Sequence, residues 1–514
     1  MDKRESRVSR KKYFYTGLAS SYLLIALNFG FTAFSVPLAL HYLTKAEFGV
    51  WALVVQFSAY LLLIDMGVSA SVSRLLADHK DDKEGASYGK VFYSSLFVSV
   101  GQGLALFGMG ALVSWLAPAL ANVPGDLRAV FSRLLILQAA VTALSLAFRS
   151  LSSPLWSHQR LDISNVSNGL GLLLGLAGLW WGFTRGWGLY SLIFGTSLGA
   201  IPGLIVPFLA CRLLGYYPPW GGWRQIQKVD WKNLFCFSRD VFMVQVGSQL
   251  ASATQIIVVS RFMSVESAAI WAIATKAYML GQQICQRVMD ASAGALAEMS
   301  VRQERGRLAM RFGQVVESTA WFSAVAGLAI IFLNTPLVIL WTGGRIIWPA
   351  HENIWLALLL LSTCAARCHL SLGGITKEMS TLRWIQMAEG VAMLGMSVLL
   401  VNRLGFLAIL MGSLAANLSL TLITAQRLSS QRLGVPTAEM LGWILPSFLF
   451  LLVGSCVVSA IEHFSPATDT GLAALILRCG LAVFLSALSF RFCIRPETRH
   501  ELLLRFFPQK RPAT

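Results

Sequence analysis

The sequence predicts an all-α polytopic membrane protein with about fourteen transmembrane helices and two related halves. Hydrophobic residues make up 55% of the 514-residue chain and charged residues only 13%, and the mean hydropathy is +0.62. A soluble protein of this length could not bury so much apolar surface. The other two observations are a regular series of membrane-length apolar runs and a degenerate internal repeat.

Each predicted span is a mostly apolar run of about 20 residues, the length that crosses a bilayer as a helix. The basic residues support the count, because with the N-terminus inside 30 of them fall in cytoplasmic segments and six in outer segments. Such a bias over short loops is the positive-inside pattern. The predicted spans are 14–42, 50–77, 91–117, 128–150, 164–183, 188–214, 234–260, 266–296, 313–341, 353–375, 384–402, 405–427, 439–460 and 471–494.

The repeat joins two segments that are 220 positions apart. Residues 42–53, YLTKAEFGVWAL, correspond to residues 262–273, FMSVESAAIWAI, so that Trp51 aligns with Trp271 and Leu43 with Met263. Halves that each begin with an even set of spans keep the same orientation, which predicts parallel halves related by an axis along the membrane normal. Transporters of this kind hold their substrate between the halves.

The net charge of +17 follows the membrane topology, so it does not indicate nucleic acid as a partner. The longest loop predicts a cytoplasmic linker between the halves, and residues 496–507 predict an amphipathic helix on the inner leaflet. The predicted domains are 1–214 for the N-lobe, 215–233 for the linker, 234–428 for the C-lobe, and 429–514 for two further spans and the tail.

Charged residues inside predicted spans are the candidate functional residues, because charges in a bilayer are costly and mostly face cavities or partners. Lys276 and Arg287 are eleven residues apart, close to three helical turns, and therefore share a helix face. Together with Arg239 they predict a basic chamber that binds a phosphate or pyrophosphate group. Arg367 and Arg133 are weaker candidates for the same role.

The intramembrane acids leave two interpretations open. Asp240 and Asp290 could pair with Arg287 and Arg239 across spans 7 and 8 as structural links, and such pairs could also open as a gate when substrate binds. Asp65 could couple transport to a H⁺ or Na⁺ gradient, or it could bond a neighbouring helix. Glu317 and Glu389 lie near predicted span ends, and we expect them to be solvated.

The sequence contains no pattern that predicts catalysis. No Walker motif, HExxH motif or nucleophile elbow is present, and the eight cysteines do not have metal-ligand spacing. We therefore expect a transporter with no metal and no cofactor, apart from H⁺ or Na⁺ coupling.

The start of the chain resembles the polysaccharide flippases of the multidrug/oligosaccharidyl-lipid/polysaccharide superfamily, which include O-antigen and exopolysaccharide flippases. The residues that carry the resemblance are Pro37, Leu43, the EFGVW segment 47–51, the YLLLIDMG segment 60–67 and Arg74. The resemblance implies two pseudo-symmetric six-helix lobes, spans 1–6 and 7–12, that alternate between inward-open and outward-open states. Spans 13 and 14 would be an additional C-terminal helix pair, as in lipid II flippases.

The resemblance also implies the cargo, an undecaprenyl-pyrophosphate-linked oligosaccharide moved from the inner to the outer leaflet of the bacterial cytoplasmic membrane for O-antigen, exopolysaccharide or lipopolysaccharide synthesis. Both termini would be cytoplasmic, and a polysaccharide polymerase and other assembly proteins are candidate partners. Lipid II flippases have cations in span 1, whereas residues 17–41 have none, which favours a surface-polysaccharide unit over lipid II. The alternatives are a cation-coupled multidrug exporter of the same superfamily and a membrane enzyme of polysaccharide assembly.

Overall fold

A computed structural model describes residues 3–79, 86–219, 242–376, 379–462, 466 and 468–499, and the regular structure in these ranges is helical. The predicted all-α multi-span fold is therefore confirmed. The helices are α1 (Lys3–Tyr42), α2 (Lys45–Leu61), α3 (Val68–Asp78), α4 (Ala86–Leu120), α5 (Gly125–Ala147), α6 (Ser153–Ser157), α7 (Leu161–Thr184), α8 (Tyr190–Leu213), α9 (242–252), α10 (Thr254–Phe262), α11 (Val265–Ala274), α12 (Lys276–Val301), α13 (Arg305–Trp341), α14 (Glu352–Ile375), α15 (Met379–Leu404), α16 (Phe406–Ala416), α17 (Ile423–Leu433), α18 (Thr437–Gly442), α19 (Leu445–Glu462) and α20 (Leu472–Cys493).

Thirteen helical segments in the described part of the chain are long and apolar enough to cross a membrane. The remaining predicted span, 266–296, is present as α11 and α12 with a break at Thr275. It is not among the thirteen because α11 is short and because α12 carries charged residues along its length. The protein is a multi-pass membrane protein, and this charged helix is the exception among its spans.

The two copies of the repeat begin in the same way. Thr44 caps α2, where its side chain accepts a hydrogen bond from the backbone N–H of Glu47, and the Glu47 carboxylate accepts from the backbone N–H of Thr44 at 2.8 Å. At the equivalent start of α11, the Ser264 hydroxyl accepts from the backbone N–H of Ser267 at 3.0 Å. A side-chain oxygen at this position satisfies an N–H group that the helix itself leaves unpaired.

The copies differ in where the helix breaks. The first copy passes from α2 through a 3₁₀ turn, Leu62–Asp65, and then through Met66 and Gly67, which both have a positive φ, before α3 begins. A left-handed conformation costs a residue with a side chain about 1–2 kcal/mol, so Met66 needs support from its surroundings. The second copy breaks earlier, at Thr275, and then continues as one unbroken helix to Val301.

The helices form two compact units. The first comprises described residues within Met1–Gln249 and Ile256–Ala269, and the second comprises described residues within Leu250–Gln255 and Ile270–Thr514. The domain boundaries predicted from the sequence stay a prediction. Most of the predicted linker and most of the predicted amphipathic tail lie outside the described residues.

In the first unit, α7 and α8 pack closely because glycines face each other across the contact. The ideal Cβ position at Gly171 is only 2.4 Å from the backbone oxygen of Gly199, and that at Gly199 is 2.9 Å from the oxygen of Gly171. Small residues at such crossings let two membrane helices approach backbone to backbone. The chain that follows α8 is held against α4, where the Tyr88 hydroxyl donates to the backbone oxygen of Tyr216 at 3.0 Å.

In the second unit, α13 is the central helix and packs against α12, α14, α19 and α20. Phe312, Val316 and Leu328 of α13 are buried in the main hydrophobic cluster. The helix begins at Arg305, eight residues earlier than the predicted span, and its first turns carry Arg307 and Arg311. These two arginines therefore lie at the end of a membrane helix.

We predict that Gly171→Ala will destabilise the protein, because the new methyl group would meet backbone that cannot rotate away. Overpacking of this kind costs about 1–3 kcal/mol. Thermal unfolding of the purified protein in detergent should show a lower melting temperature. Gly203→Ala in α8 is the matched control, since nothing lies within 4 Å of its Cβ position. Equal melting temperatures for the two variants would contradict the close α7–α8 contact.

Candidate functional site

Three of the predicted site residues come together in the second unit. Asp290 of α12 lies 3.8 Å from the guanidinium of Arg287, one turn earlier on the same helix, and 3.8 Å from that of Arg367 on α14. All three side chains are about half exposed. We call these residues the Arg–Asp–Arg group. Distances of 3.8 Å are ion-pair contacts that are too long for hydrogen bonds, so the charges are held loosely.

The net charge of the Arg–Asp–Arg group is positive, because two guanidinium groups face one carboxylate. Lys276 begins α12, three turns before Arg287, and the residue is partly buried. The rise of an α-helix places their Cα atoms about 16 Å apart. Lys276 is therefore separate from the Arg–Asp–Arg group, although it follows the same face of α12.

The other predicted site residues are placed elsewhere or are not described. Arg239 and Asp240 lie outside the described residues, so their predicted pairings with Asp290 and Arg287 stay predictions. Arg133 belongs to α5 in the first unit, where its side chain is exposed. The partner that the structure does give Asp290 on another helix, Arg367, was not part of the predicted pairing.

Asp65 is buried at the break between α2 and α3, where it forms an ion pair with Arg149. Its carboxylate also accepts a hydrogen bond from the Ser69 hydroxyl at 2.9 Å. The Gln102 amide donates to the backbone oxygens of Ile64 and Asp65, both at 2.9 Å. Of the two interpretations open for Asp65, bonding to a neighbouring helix is the one whose contacts are present, and ion coupling stays a prediction.

Glu389 of α15 is buried, so the prediction that it is solvated is wrong. Its carboxylate accepts hydrogen bonds from Asn417 and Thr421 at 2.6 Å and from Gln386 at 2.9 Å. Asn417 in turn accepts from Ser362 of α14 at 2.5 Å. Asn417 and Thr421 belong to a π-helical turn between α16 and α17, a form that is frequent at functional sites.

The contacts of Glu389 have an uncommon composition for a membrane carboxylate. Its described hydrogen-bond partners are neutral side chains, and no ion pair joins it to a lysine or arginine in the described part of the chain. A carboxylate taken out of water favours an opposite charge nearby or a bound proton. The sequence did not predict this hydrogen-bond network, because its members come from three different spans.

Glu317 of α13 is also buried, so the prediction that it is solvated is wrong here too. Its two carboxylate oxygens accept from the backbone N–H of Arg495 and from the Thr498 hydroxyl, both at 2.6 Å. These residues follow α20, so Glu317 fixes the described segment 495–498 onto α13. Its role in the described structure is to hold this C-terminal segment.

Arg478 is a further buried charge that was not predicted from the sequence. Arg478 on α20 is only 1% exposed, and one of its terminal nitrogens donates to the backbone oxygen of Pro466 at 2.9 Å. A basic residue in the middle of an apolar run was the available signal. Among the described residues, no three His, Cys, Asp or Glu side chains are grouped so that they could hold a metal ion.

Comparison with known proteins decides the family. A family model described as polysaccharide biosynthesis protein matches residues 15–292, which is more than half of the chain. The chain belongs to the polysaccharide biosynthesis protein family. The family predicted from the sequence is confirmed, and no curated protein sequence matches this family member.

Solved structures show the fold that this polysaccharide biosynthesis family member shares with several known transporters. A lipid II flippase, MurJ, in an inward-closed conformation is similar with a TM-score of 0.68 and 13% identity, covering 96% of this chain and 99% of that one. A multidrug resistance transporter of the MATE family, inward-facing, has a TM-score of 0.59 and 14% identity over 86% and 96% of the two chains. A transporter of the MOP superfamily from Pyrococcus furiosus is similar with a TM-score of 0.56 and 14% identity, covering 81% of this chain and 93% of that one.

We predict that Asp65 and Arg149 are energetically coupled in this family member. Removing one partner of a partly buried pair leaves the other charge uncompensated, so Asp65→Asn and Arg149→Gln should each destabilise the protein. The double variant should be less destabilised than the sum of the two, with a coupling energy of about 1–3 kcal/mol. Thermal unfolding of the four purified forms measures the coupling.

The control for this cycle is an exposed ion pair on α12. Arg302 and Glu298 are 2.5 Å apart, one turn from each other and both more than 60% exposed. Such a pair contributes about 0.3–0.5 kcal/mol. If the Asp65–Arg149 cycle gave no more coupling than this control, the ion pair would not be what stabilises the helix break.

Proposed function

We propose that this protein is a flippase that moves an undecaprenyl-pyrophosphate-linked oligosaccharide from the inner to the outer leaflet of the cytoplasmic membrane by alternating access. Membership of a polysaccharide biosynthesis family supports a product that contains sugars, and the fold supports transport. The observation that carries the proposal is the Arg–Asp–Arg group on α12 and α14. A half-exposed group of charges on membrane helices is expected to face a water-filled cavity.

The chemistry of the group suits a pyrophosphate. Arg287 and Arg367 can each present two parallel N–H donors to phosphate oxygens, which are stronger contacts than neutral hydrogen bonds. Asp290 holds both guanidinium groups only at ion-pair distance, so a phosphate can replace it without breaking a buried hydrogen bond. The carboxylate would keep the two arginines in position while the site is empty and would release them when the cargo enters.

We predict that Arg287→Ala and Arg367→Ala will each reduce leaflet transfer of a fluorescent undecaprenyl-pyrophosphate oligosaccharide in proteoliposomes. Loss of one charge-assisted contact to the pyrophosphate corresponds to about a 10- to 100-fold slower transfer. Membrane insertion should be unchanged because both side chains are half exposed. Arg302→Ala is the matched control, since Arg302 lies directly after the last residue of α12 and pairs with Glu298 rather than with Asp290.

The outcomes separate the alternatives. Normal transfer by Arg287→Ala would remove this residue from the site. If the correctly inserted wild-type protein moved no lipid-linked oligosaccharide but exported cationic drugs, the multidrug alternative would replace the proposal. Loss of pyrophosphate from the cargo during the assay would indicate a membrane enzyme instead of a flippase.

We also propose that transport is coupled to H⁺ or Na⁺ and that Glu389 is a second candidate for the coupling carboxylate, beside Asp65. Asp65 has a basic partner in Arg149, which balances its charge in the described structure. Glu389 has neutral partners, and its oxygens are grouped with those of Asn417 and Thr421. A proton or a sodium ion bound there would neutralise a buried charge, and the binding would differ between two conformations of the π-helical turn.

We predict that Glu389→Gln will abolish the dependence of transfer on an ion gradient and leave passive exchange of the cargo. The glutamine side chain keeps the size of the network but can neither bind a proton nor balance a cation. Initial transfer rates measured with imposed H⁺ and Na⁺ gradients provide the readout. Asp65→Asn is compared in the same assay: loss of gradient dependence in that variant alone would assign coupling to Asp65, and unchanged dependence in Glu389→Gln would exclude Glu389.

A further inference from the structure

A pocket lies between α12 and α13, at the end of α13 that begins with Arg305. Its volume is about 390 Å³, which is in the range of small-molecule sites. Part of its lining is apolar, which we call the apolar wall, and another part carries two arginines, which we call the basic end. The lining residues on which the argument depends are Val288, Leu296, Val315 and Phe322 for the apolar wall and Arg307 and Arg311 for the basic end.

The basic end is built on one face of α13. Arg307 and Arg311 are four residues apart, one helical turn, so their side chains lie next to each other. Among the described residues that line the pocket, none is acidic. Arg307 contacts Glu304 at 3.2 Å outside the pocket, and this exposed pair is weak enough to be replaced by a stronger anion. Arg311 donates to Gln314, another lining residue, at 2.9 Å.

One side of the pocket is the C-terminal segment, which contributes Thr498 to the lining. This segment is fixed, because the buried Glu317 carboxylate accepts hydrogen bonds from the Thr498 hydroxyl and the Arg495 backbone N–H. Both oxygens of Glu317 have these partners, and Glu317 does not line the pocket. The carboxylate therefore holds this wall of the pocket in place.

We propose that this pocket binds an anionic phospholipid of the surrounding leaflet. The phosphate would contact Arg307 and Arg311, and an acyl chain would lie against Val288, Leu296, Val315 and Phe322. The arginines are in the first two turns of a membrane-length helix, which is the depth at which phospholipid phosphates lie. The basic end and the apolar wall thus match the two chemical parts of one molecule.

The pocket is separate from the site of the proposed function. Arg287, Asp290 and Arg367 do not line it, and its volume is too small for an oligosaccharide with its carrier. The bound lipid would be a structural or regulatory ligand that joins α12 to α13 and to the C-terminal segment. Failure of this proposal would leave the cargo and the Arg–Asp–Arg group unaffected.

The test uses the purified full-length protein in a neutral detergent, with phosphatidylglycerol, phosphatidylcholine or inorganic phosphate added. Native mass spectrometry measures retained lipid, and thermal unfolding measures stabilisation. We expect phosphatidylglycerol to be retained and to raise the melting temperature, and we expect the paired substitution Arg307→Gln and Arg311→Gln to lower retention by about tenfold. Arg302→Gln, an exposed arginine outside the pocket, should retain lipid like the wild type.

A second variant tests the apolar wall with the charges intact. Val315→Trp fills the pocket and should reduce phosphatidylglycerol retention in protein that still elutes as a monodisperse species. Equal stabilisation by inorganic phosphate would assign the site to a free anion and overturn the proposal. Equal retention of phosphatidylcholine, or unchanged phosphatidylglycerol retention in the paired arginine variant, would overturn it as well.

Discussion

The structure depends on one constraint, that charges and free backbone groups in membrane-length helices must find partners within the protein or face water. The break between α2 and α3 shows how this is met. The helix is interrupted at Met66 and Gly67, and the Gln102 amide binds the two backbone oxygens that the interruption leaves. The charge at the same place, Asp65, is balanced by Arg149. A polar break in an apolar span is therefore stable because four side chains from three segments, those of Asp65, Ser69, Gln102 and Arg149, converge on it.

The same constraint separates the charges that hold the structure together from those that are proposed to bind the cargo. The Glu317 and Asp65 carboxylates are buried, and each has short contacts that fix another part of the chain. The Arg–Asp–Arg group differs, because its members are half exposed and its ion pairs measure 3.8 Å. Loose, half-exposed pairs contribute little to stability. The proposed binding of an anion fits the sign and the exposure of these charges.

Hydropathy and charge bias were sufficient to predict the helical fold and thirteen of the fourteen spans in the described part of the chain, because both depend on local composition, and the resemblance carried by residues 37–74 was sufficient to predict the family. The partners of the buried charges could not be predicted in this way. Glu317 lies 178 positions from Arg495, and Glu389 binds Asn417 and Thr421 through a π-helical turn that has no recognised sequence signal. Both glutamates were expected to be solvated because they are near the ends of predicted spans. The observed helices α13 and α15 begin earlier than the predicted spans, and contacts with distant parts of the chain bury both glutamates.

The position of the helix break in the repeat explains why the charged residues Lys276, Arg287 and Asp290 of the second half share one helix face. Both copies start with the same side-chain cap, at Thr44 and at Ser264, but the second breaks already at Thr275. All of α12 therefore follows the break as one 26-residue helix, and Lys276, Arg287 and Asp290 keep a common face. In the first copy, the break at Leu62–Gly67 interrupts the helix between the equivalent positions, so they would not lie on one helix face. An early break thus gives one half a continuous polar face, and a late break gives the other a helix interruption at which the charge of Asp65 is balanced by Arg149.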